Sequence, residues 1–300
     1  MKIIDNHIHI FSSLEGDPDV SPVGVFSFPA QEILSLMDRY EIEKAVLLQN
    51  PTIGTVNDEV EAAVIQYPNR FAGTLQADPF SPDAGEITEK YAAGGHFAAL
   101  KYELSSDWGW MKRHPEVEFH YELLIPLIRI ASRYHMAIVL DTGGCRKDDD
   151  CWKDGGCRKD SAGRYDAYLP EELRELILSF PNTTFVIEHG GFLLKDGDLP
   201  SWHSMIELGK LPNVYFGLSS IPTLTQQPYP CSEAVRELKL LCDTMGAEKL
   251  IFGTDIPGTL RMHTYRQMID WVLKDANFLS SRDKELIFYE NAEKIYFTGR

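Results

Sequence analysis

The sequence predicts an α/β protein folded as a single-domain (β/α)8 TIM barrel with long loops after its strands. Eight short runs rich in Val, Ile, Leu and Phe recur along the 300 residues. Stretches with the apolar spacing of amphipathic helices separate them, so strand and helix alternate eight times. Parallel strands need crossovers that are usually helical, and eight such units close a barrel. An open doubly wound sheet is the alternative that the same alternation allows.

Each predicted element follows from its apolar pattern and from the turn residues that bound it. The strand runs are short, apolar and bounded by turn residues, and they cover 2–10, 44–50, 71–79, 97–105, 137–143, 184–190, 214–220 and 250–257. The stretches with a helical period cover 30–40, 57–67, 82–93, 118–134, 170–180, 201–209, 232–245 and 264–274. A last helix over 282–296 is expected to pack on the outside of the barrel.

No linker rich in Pro, Gly or Ser divides the chain, and no repeat of 20–50 residues spans it, so residues 1–300 are expected to form one domain. Three long loops, 11–29, 106–117 and 144–168, each follow a predicted strand. In a barrel, such loops lie at the carboxyl ends of the strands, where active sites form. The functional site is therefore expected at the carboxyl ends of the strands.

Composition and charge exclude several classes of protein. The 29 Lys and Arg against 45 Asp and Glu give a net charge of −16, which disfavours nucleic acids and anionic membranes as partners. The opening MKIIDNHIHI lacks the apolar core of a signal peptide, and no segment has the ~20 unbroken apolar residues of a membrane span. Five cysteines do not indicate a disulfide framework, so a cytoplasmic location with reduced thiols is expected.

Four residues at predicted strand ends could carry chemistry. His7 and His9 are two apart on the first strand, so their imidazoles point to one face and can chelate an ion such as zinc. Two hydrogen-bonded histidines without a metal are the alternative. His189 in IEHGG and Asp255 in GTDIP end the sixth and eighth runs. All four are therefore expected at the same end of the barrel.

These motifs resemble the amidohydrolase superfamily. Within it, the chain is most similar to the amidohydrolase-related branch that contains aminocarboxymuconate semialdehyde decarboxylase, resorcylate-type decarboxylases and several lactonases. Two further segments resemble sequences of that branch, FPNTTFVIEHGG at 180–191 and YENAEKIYF at 289–297. The resemblance implies a (β/α)8 barrel, metal positions at His7, His9 and Asp255, and a proton carrier or ligand at His189.

The fifth strand departs from the branch, whose members usually carry a histidine ligand there. This chain has Asp141 in VLDTGG instead. Since Asp can also ligate zinc, Asp141 is a fourth candidate ligand of one divalent ion. Zinc is favoured, and an oxygen ligand brings manganese or magnesium into consideration. A weak or absent metal is the alternative.

Lys101 and Trp108 are candidate substrate-binding residues from the fourth strand and its loop. Lys101 is interpreted first as a cation for a substrate carboxylate, ahead of an ion pair with Glu103 or Asp78. The two-metal branches carry a carbamylated lysine at this position, but the missing histidine on the fifth strand disfavours a second ion. Trp108 could line a pocket for a planar substrate or pack on a neighbouring subunit, so a homo-oligomer stays open.

Arg146 and Arg261 are candidate contacts for substrate carboxylates. Arg146 lies in a segment that repeats Cys-x-Lys-Asp from Cys145, Cys151 and Cys157. The six-residue spacing is not a strong metal signature, and the interpretations are a lid or a solvated insertion. Arg261 follows Asp255 closely enough to reach the barrel mouth.

The predicted function is metal-dependent hydrolysis of a small carboxylate-bearing ester, lactone or amide. A metal-bound water would attack the carbonyl, Asp255 would accept its proton, and His189 would assist the carbonyl oxygen or the leaving group. Non-oxidative decarboxylation of an unsaturated or aromatic acid is the alternative reaction class. A metal-independent lactonase or a non-catalytic binder is the third possibility.

Overall fold

A computed structural model of the protein describes residues 1–11, 27–144, 167–193 and 199–298. It contains one sheet of eight parallel strands in sequential order, which confirms the predicted barrel. The strands are β1 (Ile4–Ile8), β2 (Lys44–Leu47), β3 (Phe71–Leu75), β4 (Phe97–Glu103), β5 (Ala137–Asp141), β6 (Phe185–Ile187), β7 (Val214–Gly217) and β8 (Leu250–Ile251).

Helices lie between consecutive strands and cover the outside of the sheet. The α-helices are α1 (Ala30–Tyr40), α2 (Asn57–Gln66), α3 (Ala84–Gly94), α4 (Trp110–Arg113), α5 (Ile125–Arg133), α6 (Pro170–Ser179), α7 (Leu199–Ile206), α8 (Ile221–Leu224), α9 (Ser232–Met245), α10 (Tyr265–Asp270), α11 (Ser281–Glu285) and α12 (Asn291–Tyr296). Short 3₁₀ turns and the π turns Trp271–Asp275 and Leu286–Glu290 extend several of them. In the described parts of the chain, no helix combines the length and apolarity that crossing a membrane requires.

Several predicted elements are shorter or interrupted in the structure, and for two of them the local reason is clear. The helix expected over 118–134 becomes α-helical only at Ile125, after a 3₁₀ turn, because Pro126 has no N–H for an interior turn and fits the first one. The strand expected over 250–257 is paired only at Leu250–Ile251. Asp255 then takes a left-handed φ of 61°, which an extended strand cannot contain.

Backbone hydrogen bonds join the chain after β8 to β1 and so connect the two ends of the sheet. Asn6 N donates to Phe252 O at 3.0 Å, Asp255 N to His7 O at 2.7 Å, and His9 N to Ile256 O at 2.9 Å. This seam places His7, His9 and Asp255 side by side although 246 residues separate His9 from Asp255. Closure of the barrel therefore assembles the site.

Asp5 is a buried carboxylate that holds the seam. Its oxygens accept hydrogen bonds from His7 N at 3.2 Å, Thr254 N at 2.9 Å, Thr254 Oγ1 at 2.6 Å and Tyr265 OH at 2.8 Å. Burial raises its pKa to about 6, although these donors favour the ionised form. Asp5 thus connects β1, the segment after β8 and α10 through one side chain.

We expect Asp5→Asn to lower the free energy of unfolding by about 1–3 kcal/mol, because the new amide NH2 would face groups that are themselves donors. Urea unfolding followed by circular dichroism measures this difference. The exposed Asp38, which pairs with Arg70 on the surface, offers the control Asp38→Asn, expected within about 0.5 kcal/mol of the parent. An equal effect of the two substitutions would contradict the assigned role of Asp5.

Candidate metal and active site

His7, His9 and Asp255 converge at the carboxyl ends of the strands. His7 Nε2 lies 3.3 Å from His9 Nε2 and 3.6 Å from Asp255 Oδ1, and His9 Nε2 lies 2.9 Å from the same oxygen. Ligand atoms about 2.0–2.1 Å from a tetrahedral ion are about 3.3–3.4 Å apart, so these separations match an ion's coordination edges. The structure thus brings together three of the predicted metal positions.

The hydrogen bonds of the two histidines determine which nitrogens carry protons. His9 Nδ1 lies 2.9 Å from Leu48 O, and a carbonyl can only accept, so Nδ1 carries the hydrogen. His7 Nδ1 lies 3.0 Å from Glu188 Oε2 and donates to that carboxylate. Burial lowers the pKa of His7, against the opposing effect of Glu188, so the ring is neutral near pH 7. With both rings neutral, the form that binds a metal ion, the two Nε2 lone pairs face Asp255.

In this form three acceptor atoms meet at one point, and the set fits a cation. Without a positive charge between them, two imidazole lone pairs and a carboxylate oxygen would repel one another. His189 lies beside this set, because one possible ligand atom each from His7, His189 and Asp255 lie within 4.8 Å of one another. The residues present therefore fit a divalent ion with nitrogen and oxygen ligands.

Glu188 orients His7, and the sequence analysis did not identify it. The carboxylate is completely buried and accepts from Asn6 Nδ2 at 2.9 Å and Ser219 Oγ at 2.8 Å, besides His7 Nδ1. Burial opposes its ionisation, but His7 holds its pKa below the usual value. Gly217 leaves room for it, since a Cβ there would lie 2.1 Å from Glu188 Oε2. An acidic residue directly before His189 at a strand end was the available signal.

His189 lies in the turn after β6 with one nitrogen committed and one facing the site. Its Nδ1 donates to Ser219 O at 3.1 Å, and its Nε2 lies 3.5 Å from Asp141 Oδ2. Burial would lower the pKa of His189, but the protein's own charges, Asp141 foremost and Asp255 next, raise it to about 9. The imidazole can therefore hold a proton at Nε2, as the predicted proton carrier requires.

Asp141 and Lys101 form a buried ion pair. Lys101 Nζ donates to Asp141 Oδ2, and the lysine side chain is fully buried. Although burial opposes it, Lys101 holds the pKa of Asp141 well below its usual range. Asp141 Oδ1 is buried and has no hydrogen-bond partner, so the predicted ligand role of Asp141 stays a prediction that rests on this oxygen. The pair involves Asp141, whereas the sequence suggested Glu103 or Asp78 as ion-pair partners of Lys101.

Asp255 is fixed by Ser220 as well as by the seam. Ser220 Oγ donates to Asp255 Oδ2, which leaves Oδ1 for His7 and His9. Burial opposes ionisation, but at the acidic pH where Asp255 would take up a proton His7 is cationic, and its charge together with the contact to His9 lowers the pKa of Asp255. Asp255 is therefore a carboxylate at neutral pH. His189, Ser220 and Asp255 all have left-handed φ values of 56–61°, a region that costs non-glycine residues energy and is enriched at functional sites.

A cavity of about 240 Å³ opens above these residues. Trp108 and Arg261 line it, as predicted from the sequence, and Trp108 is 40% exposed. Phe11, Phe192 and Leu224 add apolar surface. Lys101 lies below the cavity and does not line it. Arg146 and the three cysteines Cys145, Cys151 and Cys157 lie outside the described residues.

A (β/α)8 barrel whose strand ends carry clustered ligands beside a buried proton carrier has the features of an enzyme active site. The amidohydrolase family profile matches residues 4–298. The chain belongs to the amidohydrolase family. The enzymes of this superfamily found among the similar solved structures are hydrolases or carboxy-lyases. No curated protein matches the sequence.

Three solved structures show the fold that this chain shares. A probable 2-pyrone-4,6-dicarboxylic acid hydrolase from Acinetobacter baumannii with citric acid bound has 17% identity and a TM-score of 0.73 over 98% of this chain and 99% of that one. An amidohydrolase from Burkholderia multivorans with bound zinc has 15% identity and a TM-score of 0.72 over 99% of both chains. The 5-carboxyvanillate decarboxylase from Sphingomonas paucimobilis has 14% identity and a TM-score of 0.64 over 98% of both.

We expect Glu188→Gln to weaken zinc binding about 10- to 100-fold, the usual effect of removing a carboxylate that orients a ligating histidine. Competition with a chromogenic chelator measures the dissociation constant. Glu237 is also a buried carboxyl group but bonds to none of the ligands in the described structure, so Glu237→Gln is the matched control. Unchanged zinc affinity in a folded Glu188→Gln protein would contradict the positioning role.

Proposed function

We propose that the chain is a metal-dependent hydrolase of a small carboxylate-bearing ester, lactone or amide. The observation that carries this proposal is the meeting of His7 Nε2, His9 Nε2 and Asp255 Oδ1, three atoms that need a cation between them. A divalent ion bound by these atoms would polarise the substrate carbonyl and lower the pKa of a water to about 7. Zinc is the proposed ion, and the bound zinc of the Burkholderia structure supports it.

In the proposed reaction, Asp255 accepts a proton and His189 donates one. Asp255 is ionised, and its Oδ1 has a second lone pair besides the one that would face the ion, so it can accept the proton of the attacking water. The water oxygen bonds to the acyl carbon, and the bond from that carbon to the leaving oxygen or nitrogen breaks. His189 Nε2 then supplies a proton to the leaving atom, while Ser219 O holds Nδ1. His189 is buried, which limits the competition of bulk water for its proton.

Trp108, Arg261 and Arg146 are the proposed substrate contacts. The Trp108 ring offers an apolar face to the body of the substrate, and Arg261 offers donors to a carboxylate. The role of Lys101 as a direct carboxylate contact stays a prediction with little support, because the lysine is buried and paired with Asp141. We assign Lys101 instead to balancing the charge of Asp141 beside His189.

Decarboxylation is the second candidate, and the similarity to the 5-carboxyvanillate decarboxylase favours it. In this reaction the bond between the carboxylate carbon and the substrate carbon breaks, carbon dioxide leaves, and a proton is added to the remaining carbon. His189 Nε2 could supply that proton with Asp141 as its counterion at 3.5 Å. The same residues would thus protonate a carbon atom of the substrate in place of a leaving oxygen or nitrogen.

We expect the purified protein to hold close to one divalent ion per chain and the double substitution of His7 and His9 by Ala to lose it. Elemental analysis measures the content after dialysis and after incubation with zinc. Circular dichroism should show a retained fold, because ligands at a barrel mouth contribute little to core packing. Absence of any transition metal from the parent protein after incubation with zinc would favour a metal-independent lactonase or a non-catalytic binder.

The fate of solvent atoms separates the two reactions. With a substrate that turns over, a hydrolase incorporates ¹⁸O from labelled water into the product, and we expect this outcome. Asp255→Asn should abolish turnover, because an amide cannot act as the base, and His189→Asn should slow it by about 10²–10⁴. The exposed His203 offers the control His203→Asn. Solvent deuterium on carbon with released carbon dioxide and no ¹⁸O would establish decarboxylation instead.

A further inference from the structure

The loop after β2 forms a wall of the cavity that has no part in the proposed proton transfers. Asn50, Thr52 and Ile53 from this loop line the cavity. Leu48, two residues before Asn50, packs with inward side chains of the other strands, and its carbonyl oxygen holds His9 Nδ1. Since side chains alternate along an extended chain, Asn50 points to the same interior as Leu48 but nearer the mouth. Asn50 therefore lies on the side of the site where His9 stands.

Hydrogen bonds within the loop determine which end of the Asn50 amide is available. Asn50 Oδ1 accepts from Thr52 N at 2.8 Å and from Thr52 Oγ1 at 2.7 Å. A backbone N–H can only donate, so the atom that it contacts is the amide oxygen, and the NH2 group is the other end. Within the described parts of the chain, Asn50 Nδ2 has no hydrogen-bond partner, and the residue is half-buried. The polar group that Asn50 offers to the cavity is therefore a pair of N–H donors.

Further contacts fix the loop, so the amide is oriented before a ligand binds. Ile53 N donates to Asn50 O at 3.0 Å, and Gly54 N donates to Pro51 O at 3.1 Å. An NH2 group of Arg113, the last residue of α4, also donates to Pro51 O. A donor that is held in this way loses little conformational entropy when it binds a ligand.

An uncharged donor at this place suits both the ion and the substrate. A lysine or arginine beside His9 would repel a divalent ion bound by His7, His9 and Asp255, whereas an amide does not. In the proposed hydrolysis, the carbonyl oxygen gains negative charge as the water oxygen bonds to the acyl carbon. An N–H donor aimed at that oxygen stabilises the developing charge.

We propose that Asn50 binds the reacting group of the substrate, with Nδ2 donating a hydrogen bond to an oxygen of that group beside His9. The proposal rests on the proposed function, because it adds a binding residue to the same site. It also makes Asn50 a determinant of specificity. A group that presents an acceptor oxygen next to the ion is favoured over a group that presents only a donor or an apolar atom there.

A purely structural role is the competing explanation, because Asn50 Oδ1 closes the turn at Thr52, and two substitutions separate the roles. Asn50→Asp keeps an oxygen that can accept from Thr52 N and Oγ1, but it replaces the NH2 group by a second acceptor. Asn50→Ser keeps a shorter hydroxyl that can accept from Thr52 N, and it adds no charge. The exposed Asn69, which precedes β3 at the opposite end of the barrel, offers the control Asn69→Asp.

Binding of two inert zinc ligands tests the proposal without turnover. Acetohydroxamate presents acceptor oxygens at the ion, whereas imidazole binds zinc through nitrogen and presents no acceptor oxygen. Isothermal titration calorimetry with the zinc-loaded proteins measures both dissociation constants. We expect Asn50→Ser to weaken acetohydroxamate binding about 5- to 10-fold, the worth of one hydrogen bond, and to change imidazole binding by less than about 2-fold. Asn50→Asp should weaken acetohydroxamate binding at least about 10-fold, because its negative charge also repels the anion. Asn69→Asp should leave both ligands unchanged.

The zinc content of every sample separates this proposal from the proposed function. A parent protein that takes up no zinc overturns both. With zinc-loaded proteins, the proposal alone is overturned if the parent does not bind acetohydroxamate at millimolar concentration, or if a folded Asn50→Ser or Asn50→Asp protein binds it as tightly as the parent. It is also overturned if Asn50→Ser weakens imidazole binding as much as acetohydroxamate binding, the result that a purely structural role gives. None of these results depends on whether the enzyme hydrolyses or decarboxylates.

Discussion

The seam between β1 and the segment after β8 is the constraint on which the site depends. Two imidazoles and a carboxylate meet there because Asp255 N donates to His7 O and His9 N to Ile256 O. Asp5 ties the same two segments together below the ligands. A register error at this seam would send the histidines to the wrong face, since side chains alternate along a strand. Barrel closure and ligand geometry are therefore one requirement.

The sequence could predict the barrel and the ligand cluster because both depend on local signals. Apolar runs alternate with helical periods, and His7, His9, His189 and Asp255 stand at strand ends, so the fold alone brings them to one mouth. The partners of these residues were harder to predict. Which carboxyl group Lys101 contacts depends on the register between β4 and β5, and no short-range pattern in one sequence encodes that register.

Glu188 shows why supporting residues escape sequence reasoning. Its role needs the carboxylate to reach His7 from a strand that is not a neighbour of β1, and it needs Gly217 on β7 to leave the space. A motif identifies what a residue can do, but its burial and partners come from the packing of three strands. The left-handed turns at His189, Ser220 and Asp255 also depend on packing, because contacts with the rigid barrel compensate the energetic cost of their backbone conformation.

Charge balance at the mouth gives a reason why Lys101 pairs with Asp141 and leaves Glu103 alone. Asp141, Glu188 and Asp255 are held ionised, with their pKa values below the usual range, whereas the pKa of Glu103 is raised to about 8. Near pH 7 these three negative charges face two cations, Lys101 and the protonated His189, which leaves a surplus of one negative charge. A divalent cation at His7, His9 and Asp255 would more than offset this charge, whereas an ionised Glu103 would add to it. Glu103 is thus the neutral acid among these groups and lines the cavity, whereas Asp141 remains paired with Lys101 beside His189.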